Sequence, residues 1–142
     1  MGMEAIDWNK QVSLITMETE GSNCFNEAIK TGKIVTLKAI NSIAKSLGAL
    51  SVSTKLFEMS QMSHLYQIKS QIVTDKQALE SCLKFSKDHR MLVEPACGSA
   101  LAAVYFKPEI FDKISKKPII VIVCGGNMAT IELFETWKNS LK

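Results

Sequence analysis

Two hydrophobic rhythms run along this chain, one unbroken or alternating, the other at helical spacing. The densest stretch is Ile119-Ile120-Val121-Ile122-Val123, β-branched residues in succession between Pro118 and Gly125-Gly126. Such a run predicts a strand buried on both faces, as in a parallel sheet covered by helices. A helical pattern resumes soon after the glycines. A strand that ends in glycine and feeds a helix sets backbone at the carboxyl edge of an α/β sheet, where such folds bind ligands. Cys124 stands at that edge.

The rest of the chain repeats the alternation. Met3, Ala5, Ile6 and Trp8 suggest the end of a helix. Residues 12–17 predict a strand that runs into a polar turn at 18–23. Ser22 or Asn23 is placed to N-cap a short helix through about Lys30, with Thr31-Gly32 to stop it. Residues 34–37 are β-prone, and 41–47 predict one or two helical turns with Gly48 as the left-handed residue after them. Residues 50–53 read as a strand or an extended loop. Leu56, Met59 and Met62 keep helical spacing within 54–63, and an extended run follows at 66–73.

Thr74-Asp75-Lys76-Gln77 is a capping-box pattern. The helix it opens carries Ala78, Leu79, Cys82, Leu83 and Phe85 on one face and should end near Asp88. Residues 91–93 predict a brief strand broken by Pro95, then 98–105 a helix rich in small residues. A last helix, about 129–141, is expected to bury Ile131, Leu133, Phe134 and Trp137. Strands alternating with helices predict an α/β fold with a mainly parallel sheet flanked by helices. Residues 1–142 read as a single domain with no internal repeat, low-complexity segment or linker.

Composition adds limits. A chain of 142 residues is long enough for one real core, burying about 68–70% of its unfolded surface. A net charge of +3 with scattered lysines gives no case for nucleic acid. The short cluster Lys113, Lys116 and Lys117 reads as a solvated loop. No apolar run approaches the roughly 18–20 residues needed to span a bilayer. The first residues have neither a basic nor an apolar region of a secretory signal, and no myristoylation pattern. Cys24, Cys82, Cys97 and Cys124 are widely spaced and stand at no zinc-ligand spacing from His64 or His89. They read as reduced, buried thiols of an intracellular protein.

Three local motifs carry candidate chemistry, each beside a plainer reading. Cys124-Gly125-Gly126-Asn127 fits a tight turn with a buried thiol, an anion site of backbone amides ahead of a helix, or a thiol aimed at a ring cofactor. A thiol is a weak, uncharged donor and would leave a pyridine nitrogen largely unprotonated. Glu94-Pro95-Ala96-Cys97-Gly98 is a second strand-end turn whose glutamate suits a structural acceptor for backbone amides. Glu18, with Ser22 and Cys24 beyond it, fits either a solvated turn or a seat for a hard cation made of one carboxylate plus carbonyls.

Taken in order, the motifs become specific. Met17-Glu18-Thr19-Glu20-Gly21, then Ser42-Ile43-Ala44-Lys45-Ser46-Leu47-Gly48, then the 92–105 stretch from Leu92-Val93-Glu94-Pro95-Ala96-Cys97-Gly98 to Tyr105, then Val121-Ile122-Val123-Cys124-Gly125-Gly126-Asn127 closely resemble the C-terminal part of animal-type L-serine dehydratase/L-threonine deaminase. That is a pyridoxal-phosphate family of fold type II, tryptophan synthase beta-like. The resemblance covers about residues 2–142 and implies the C-terminal part of the catalytic large domain. Cysteine at 97 and 124 is similar to the serine-dehydratase branch.

The resemblance implies a cytoplasmic, homodimeric enzyme that takes water and ammonia from L-serine or L-threonine to give pyruvate or 2-oxobutanoate. It places Cys124 against the pyridine nitrogen of pyridoxal phosphate and Gly125 beside the ring. It implies a potassium site at Glu18, with carbonyls of Ser22, Leu47 and Ala49. Cys24 stands where the family usually has a serine hydroxyl, and sulfur is a poor potassium ligand.

The family's Schiff-base lysine, its substrate-carboxylate loop and its glycine-rich phosphate loop belong upstream of these motifs, and no lysine here stands in a matching context. The expectation is therefore a truncated chain with no catalytic residue of its own, inactive alone. The alternative is a non-catalytic α/β binding or interaction module that pairs with the intact enzyme.

Overall fold

The computed structural model describes residues 12–111 and 118–141. The expected helix at the start and the lysine cluster at 113–117 lie outside the described residues. β1 is Ser13–Thr19 and α1 is Cys24–Thr31; α2 is Thr54–Gln61 and β2 is Gln67–Val73. α3 is Asp75–His89, α4 is Pro95–Phe106 and α5 is Ile131–Ser140. Short 3-10 turns stand at Lys45–Leu47 and Pro108–Phe111. The two strands pair in parallel, with Ser13 opposite Gln67 and Thr19 opposite Val73.

Local chemistry sets several boundaries. The capping box at α3 is complete: Thr74 Oγ1 accepts from Gln77 N at 3.1 Å, and Gln77 Oε1 accepts from Thr74 N at 3.0 Å. α4 begins at Pro95, three residues before the expected Gly98, because a proline at the first helical position gives up only an unpaired N–H. α1 ends at Gly32 in the left-handed conformation, as its sequence anticipates. Gly48 instead follows its 3-10 turn with extended backbone, so it is not the left-handed residue expected. Its lack of a side chain keeps Ile40 and the Lys45 carbonyl free of overlap.

The core is layered on α4. Leu79 and Cys82 of α3, Val93, Cys97 and Leu101 meet Phe134 of α5 in one cluster. A second cluster joins Cys24, Phe25, Ala28 and Val52 beneath α1, and Val73, Ala78 and Ala102 form a third against β2. Gly98 lets α4 press on α3: a β-carbon there would overlap the Ala78 carbonyl oxygen and stand 2.5 Å from Cys82 Sγ.

Four expectations need correcting. The 34–37 segment forms no strand and contributes one isolated bridge, Thr36 to Ser51. Residues 91–93 run without strand pairing into α4. Ile131 is exposed, not buried, since it opens the first turn of α5 while Phe134 carries the buried contact. The 119–123 run is not a strand buried on both faces: it joins no sheet, and Ile120 and Ile122 are 79% and 69% exposed. Val121 and Val123 do pack on the main cluster. One face thus meets core and the other meets nothing among the described residues, which is half of what a doubly covered strand requires.

Candidate functional site

Three segments converge on the residues after Val123. Glu94 N donates to the Gly125 carbonyl at 3.1 Å, tying the start of α4 to the glycine turn. The Cys97 sulfur sits beneath that turn. It accepts the backbone N–H of Cys124 at 3.2 Å and of Gly125 at 3.4 Å, and donates to the Gly125 carbonyl at 3.3 Å. Gly126 lies so close to the Leu92 carbonyl that a β-carbon would overlap it.

Above this base the turn is open. Cys124 is exposed, which removes the buried-thiol reading of the turn and corrects the expectation that all four thiols are buried. Gly125 has φ +154 and nothing within 4 Å of where a β-carbon would stand. The result is an exposed thiol beside a bare backbone surface, held from below by a buried sulfur. Glu94 accepts amides through its main chain, not its carboxylate: its carbonyl takes Cys97 N at 2.9 Å, Gly98 N at 3.0 Å and Cys82 Sγ at 3.4 Å. Burial pushes the Cys82 thiol up to about 12, with Cys97 nearby as the next cause.

Glu18 occupies a second site at the carboxyl end of β1. Its carboxylate accepts Phe25 N at 3.0 Å, Asn26 N at 2.7 Å and Ser70 Oγ at 3.3 Å. It therefore caps α1 from outside, where Asn23 makes no side-chain cap. Burial raises its pKa above the ordinary 4.5, against the opposing pull of these donors. Burial, then the Glu18 charge, likewise raises the Cys24 thiol. Ser22 Oγ and Asn26 Oδ1 are buried with no protein partner.

Of the sequence-derived cation residues, Glu18, Ser22 and Cys24 share this corner. Leu47 ends the 3-10 turn and Ala49 lies just past it, and Ala49 N donates to the Leu47 carbonyl at 3.1 Å. Their segment is anchored nearby: Asn41 N donates to the Gly21 carbonyl at 2.9 Å, and Thr19 Oγ1 lies 2.8 Å from Ser42 Oγ. Asp75 completes the anchor by accepting Ser42 Oγ and Ile43 N.

Sequence reasoning missed Asn26, Ser42, Asp75 and the role of the Cys97 sulfur. Only Asp75 carried a signal, its place in the first turn of a capped helix. Among the described residues, no group of three or more His, Cys, Asp or Glu is arranged to hold a metal ion, and no helix is long and apolar enough to cross a membrane. A cleft of about 500 Å3 between α3 and α5, with Leu83, Arg90, Ile131 and Phe134 in its wall, includes neither Cys124 nor Glu18.

Comparison with known proteins bears on the whole chain. A human protein described as serine dehydratase-like is 44% identical over 132 residues, covering 89% of this chain and 39% of its own length. The L-serine dehydratase/L-threonine deaminase of Bos taurus is 35% identical, covering 99% of this chain and 43% of its own length. A solved fungal L-serine ammonia-lyase from Rhizomucor miehei superposes with TM-score 0.88 at 30% identity, over 100% of this chain and 45% of that one. The chain thus spans less than half the length of these relatives. A maize serine racemase, at 23% identity and TM-score 0.74, shares the fold. The family model described as "Pyridoxal-phosphate dependent enzyme" matches residues 2–125, and with these likenesses the chain belongs to that α/β, fold type II family.

Proposed function

We propose that this chain forms the ring-facing wall of a pyridoxal-phosphate-dependent L-serine/L-threonine ammonia-lyase, in the C-terminal part of its large domain. The observation that carries the reading is the exposed Cys124 thiol followed by the unobstructed Gly125 backbone. The two fit the edge and face of a planar ring, which a side chain at 125 would obstruct. When bound, the cofactor supplies an electron sink for the α-carbon of the amino acid.

The chain's own contribution is orientation and proton placement. Cys124 offers the ring nitrogen a thiol, a weak donor, in place of a carboxylate. That arrangement suits prompt loss of the β-hydroxyl, giving pyruvate from L-serine or 2-oxobutanoate from L-threonine, with ammonia. Glu18, Ser22, Cys24, Leu47 and Ala49 are the proposed monovalent-cation corner, with potassium as the ion. The buried, unpartnered Ser22 Oγ supports a ligand there. A cytoplasmic homodimer is part of the same reading.

The covalent anchor fits less well. Every lysine among the described residues is exposed except Lys107, which is half-buried, and a lysine that forms an imine is normally desolvated. On this reading the anchoring amine comes from outside the described residues, and the chain alone does not turn over.

The test has two arms. The isolated chain is mixed with pyridoxal phosphate and then borohydride, with no lysine adduct expected. The chain is also co-produced with the part of the human relative that it does not match. Pyruvate from L-serine is expected there, and Gly125→Leu should abolish it. A reduced adduct on one lysine of the isolated chain, or no pyruvate from the complemented pair, overturns the reading. The exposed Ile119, Ile120 and Ile122 favour a second reading, a non-catalytic module that pairs with the intact enzyme. A mixed oligomer with the full-length human relative, seen by native mass spectrometry, would favour it.

A further inference from the structure

The Cys97 sulfur and Cys124 meet in an arrangement that the cofactor reading does not use. Cys97 is buried, Cys124 is exposed, and neither is in a disulfide. The Cys97 sulfur lies 3.2 Å from Cys124 N and 3.4 Å from Gly125 N, accepting both N–H groups. A sulfur accepts through its lone pairs, so the electrons that would attack another sulfur already face the backbone of Cys124. The β-carbon of Cys124 lies two bonds from that nitrogen, hence within about 6 Å of the Cys97 sulfur. One further bond separates that sulfur from its own β-carbon, so the two β-carbons lie within about 8 Å, and a disulfide, which needs them about 3.5–4.5 Å apart, requires the turn to close by up to about 4 Å. The shift required falls on a segment continued by Gly125, where nothing stands within 4 Å of the position a β-carbon would take.

We propose that Cys97 and Cys124 are a redox pair, with Cys124 the site that hydroperoxides oxidise and Cys97 the thiol that resolves it. The Cys124 sulfur attacks the peroxide, the O–O bond breaks, and a sulfenic acid and one water result. The Cys97 sulfur then attacks the Cys124 sulfur: the S–S bond forms, the S–O bond breaks, and the departing hydroxide takes the Cys97 proton as a second water. The two thiols together lose the electron pair that reduces one hydrogen peroxide.

Cys82 is a poor competitor. It is fully buried, its thiol donates to the Glu94 carbonyl, and burial keeps it protonated to about 12. Cys24 lies in the separate cluster beneath α1. Bridging would draw the Cys124 thiol under the turn, away from the open face. On the cofactor reading, that removes the group facing the ring; the pair itself stands without that reading.

The chain is treated with hydrogen peroxide and its intact mass measured, followed by digestion without reductant. The expected result is a loss of about 2 Da, reversed by dithiothreitol, with fragments containing Cys97 and Cys124 joined. Cys124→Ser, a change at an exposed side chain, should show no such loss. In Cys97→Ser, dimedone should trap the sulfenic acid at Cys124 at least about tenfold more than in the wild type, since nothing resolves it. A bridge between Cys82 and Cys97, a disulfide found only between two chains, or equal dimedone labelling of Cys124 in the wild type and Cys97→Ser would overturn the proposal.

Discussion

The Glu18 carboxylate accepts the backbone N–H of Asn26 at 2.7 Å, joining the end of β1 to the first turn of α1. The same group also takes the Phe25 amide, so one side chain serves two N–H groups that have no partner within the helix. Replacing Glu18 with Ala leaves both buried without an acceptor. The expected loss is about 1–3 kcal/mol in denaturant unfolding.

The pH dependence of this group has a definite sign. Burial raises the folded pKa of Glu18 above 4.5, so the folded state holds the proton more tightly than the unfolded state. Its contribution is therefore most favourable below the unfolded value and is lost as pH rises through the folded one. Relative to Glu18→Gln, wild-type stability should decline as pH is taken from below 4.5 to neutrality. Calorimetry at both ends of that range measures it. A potassium ion on the carboxylate favours the charged form, so potassium should raise the Tm of the wild type over a tetramethylammonium control at the higher pH. Glu18→Gln should show no such gain.

Gly98 tests the contact between α3 and α4. A methyl group there overlaps the Ala78 carbonyl oxygen, which is backbone and cannot rotate away, as well as the Cys82 sulfur. Gly98→Ala should cost about 1–3 kcal/mol or more, although alanine is the better helix former. Gly32→Ala makes a useful contrast. Its β-carbon meets nothing within 4 Å, but φ +69 makes the backbone itself unfavourable. Both should lower Tm, Gly98→Ala by more.

The capping box predicts a smaller, local effect. Thr74 Oγ1 and Gln77 Oε1 each accept the other residue's backbone N–H. Thr74→Ala removes one of these bonds and should cost about 1 kcal/mol. Amide exchange at the first turn of α3 should rise more than exchange at Leu79 or Cys82 in the core.

These examples separate what could be read along the chain from what could not. The Thr74–Gln77 cap was legible because both partners lie within one helical turn. β1, α1, α2, β2 and α3 follow for the same reason, since period and capping are local properties. The Glu18 cap was not, because the carboxylate crosses a turn to reach amides seven and eight residues on. The Cys97 sulfur was still less so: its partners are 27 and 28 residues away and are backbone amides, which leave no mark in sequence. The ordered motifs singled out Cys124, while its exposure needed the fold.

The 119–123 run gives the last prediction, because composition and environment disagree there. All five residues are β-branched and apolar. Yet Val121 and Val123 touch the main core cluster, while Ile120 and Ile122 face outward. If burial and not composition sets the energetics, Ile122→Ala should change unfolding free energy by no more than about 0.5 kcal/mol. Val123→Ala should cost roughly 0.5–1.5 kcal/mol or more, from lost contact with the core. Ile120→Lys and Ile122→Lys should also reduce self-association in light scattering, since they put charge into a β-prone apolar edge. Equal destabilisation by Ile122→Ala and Val123→Ala would mean that both faces are covered, and the description of this edge as open would fail.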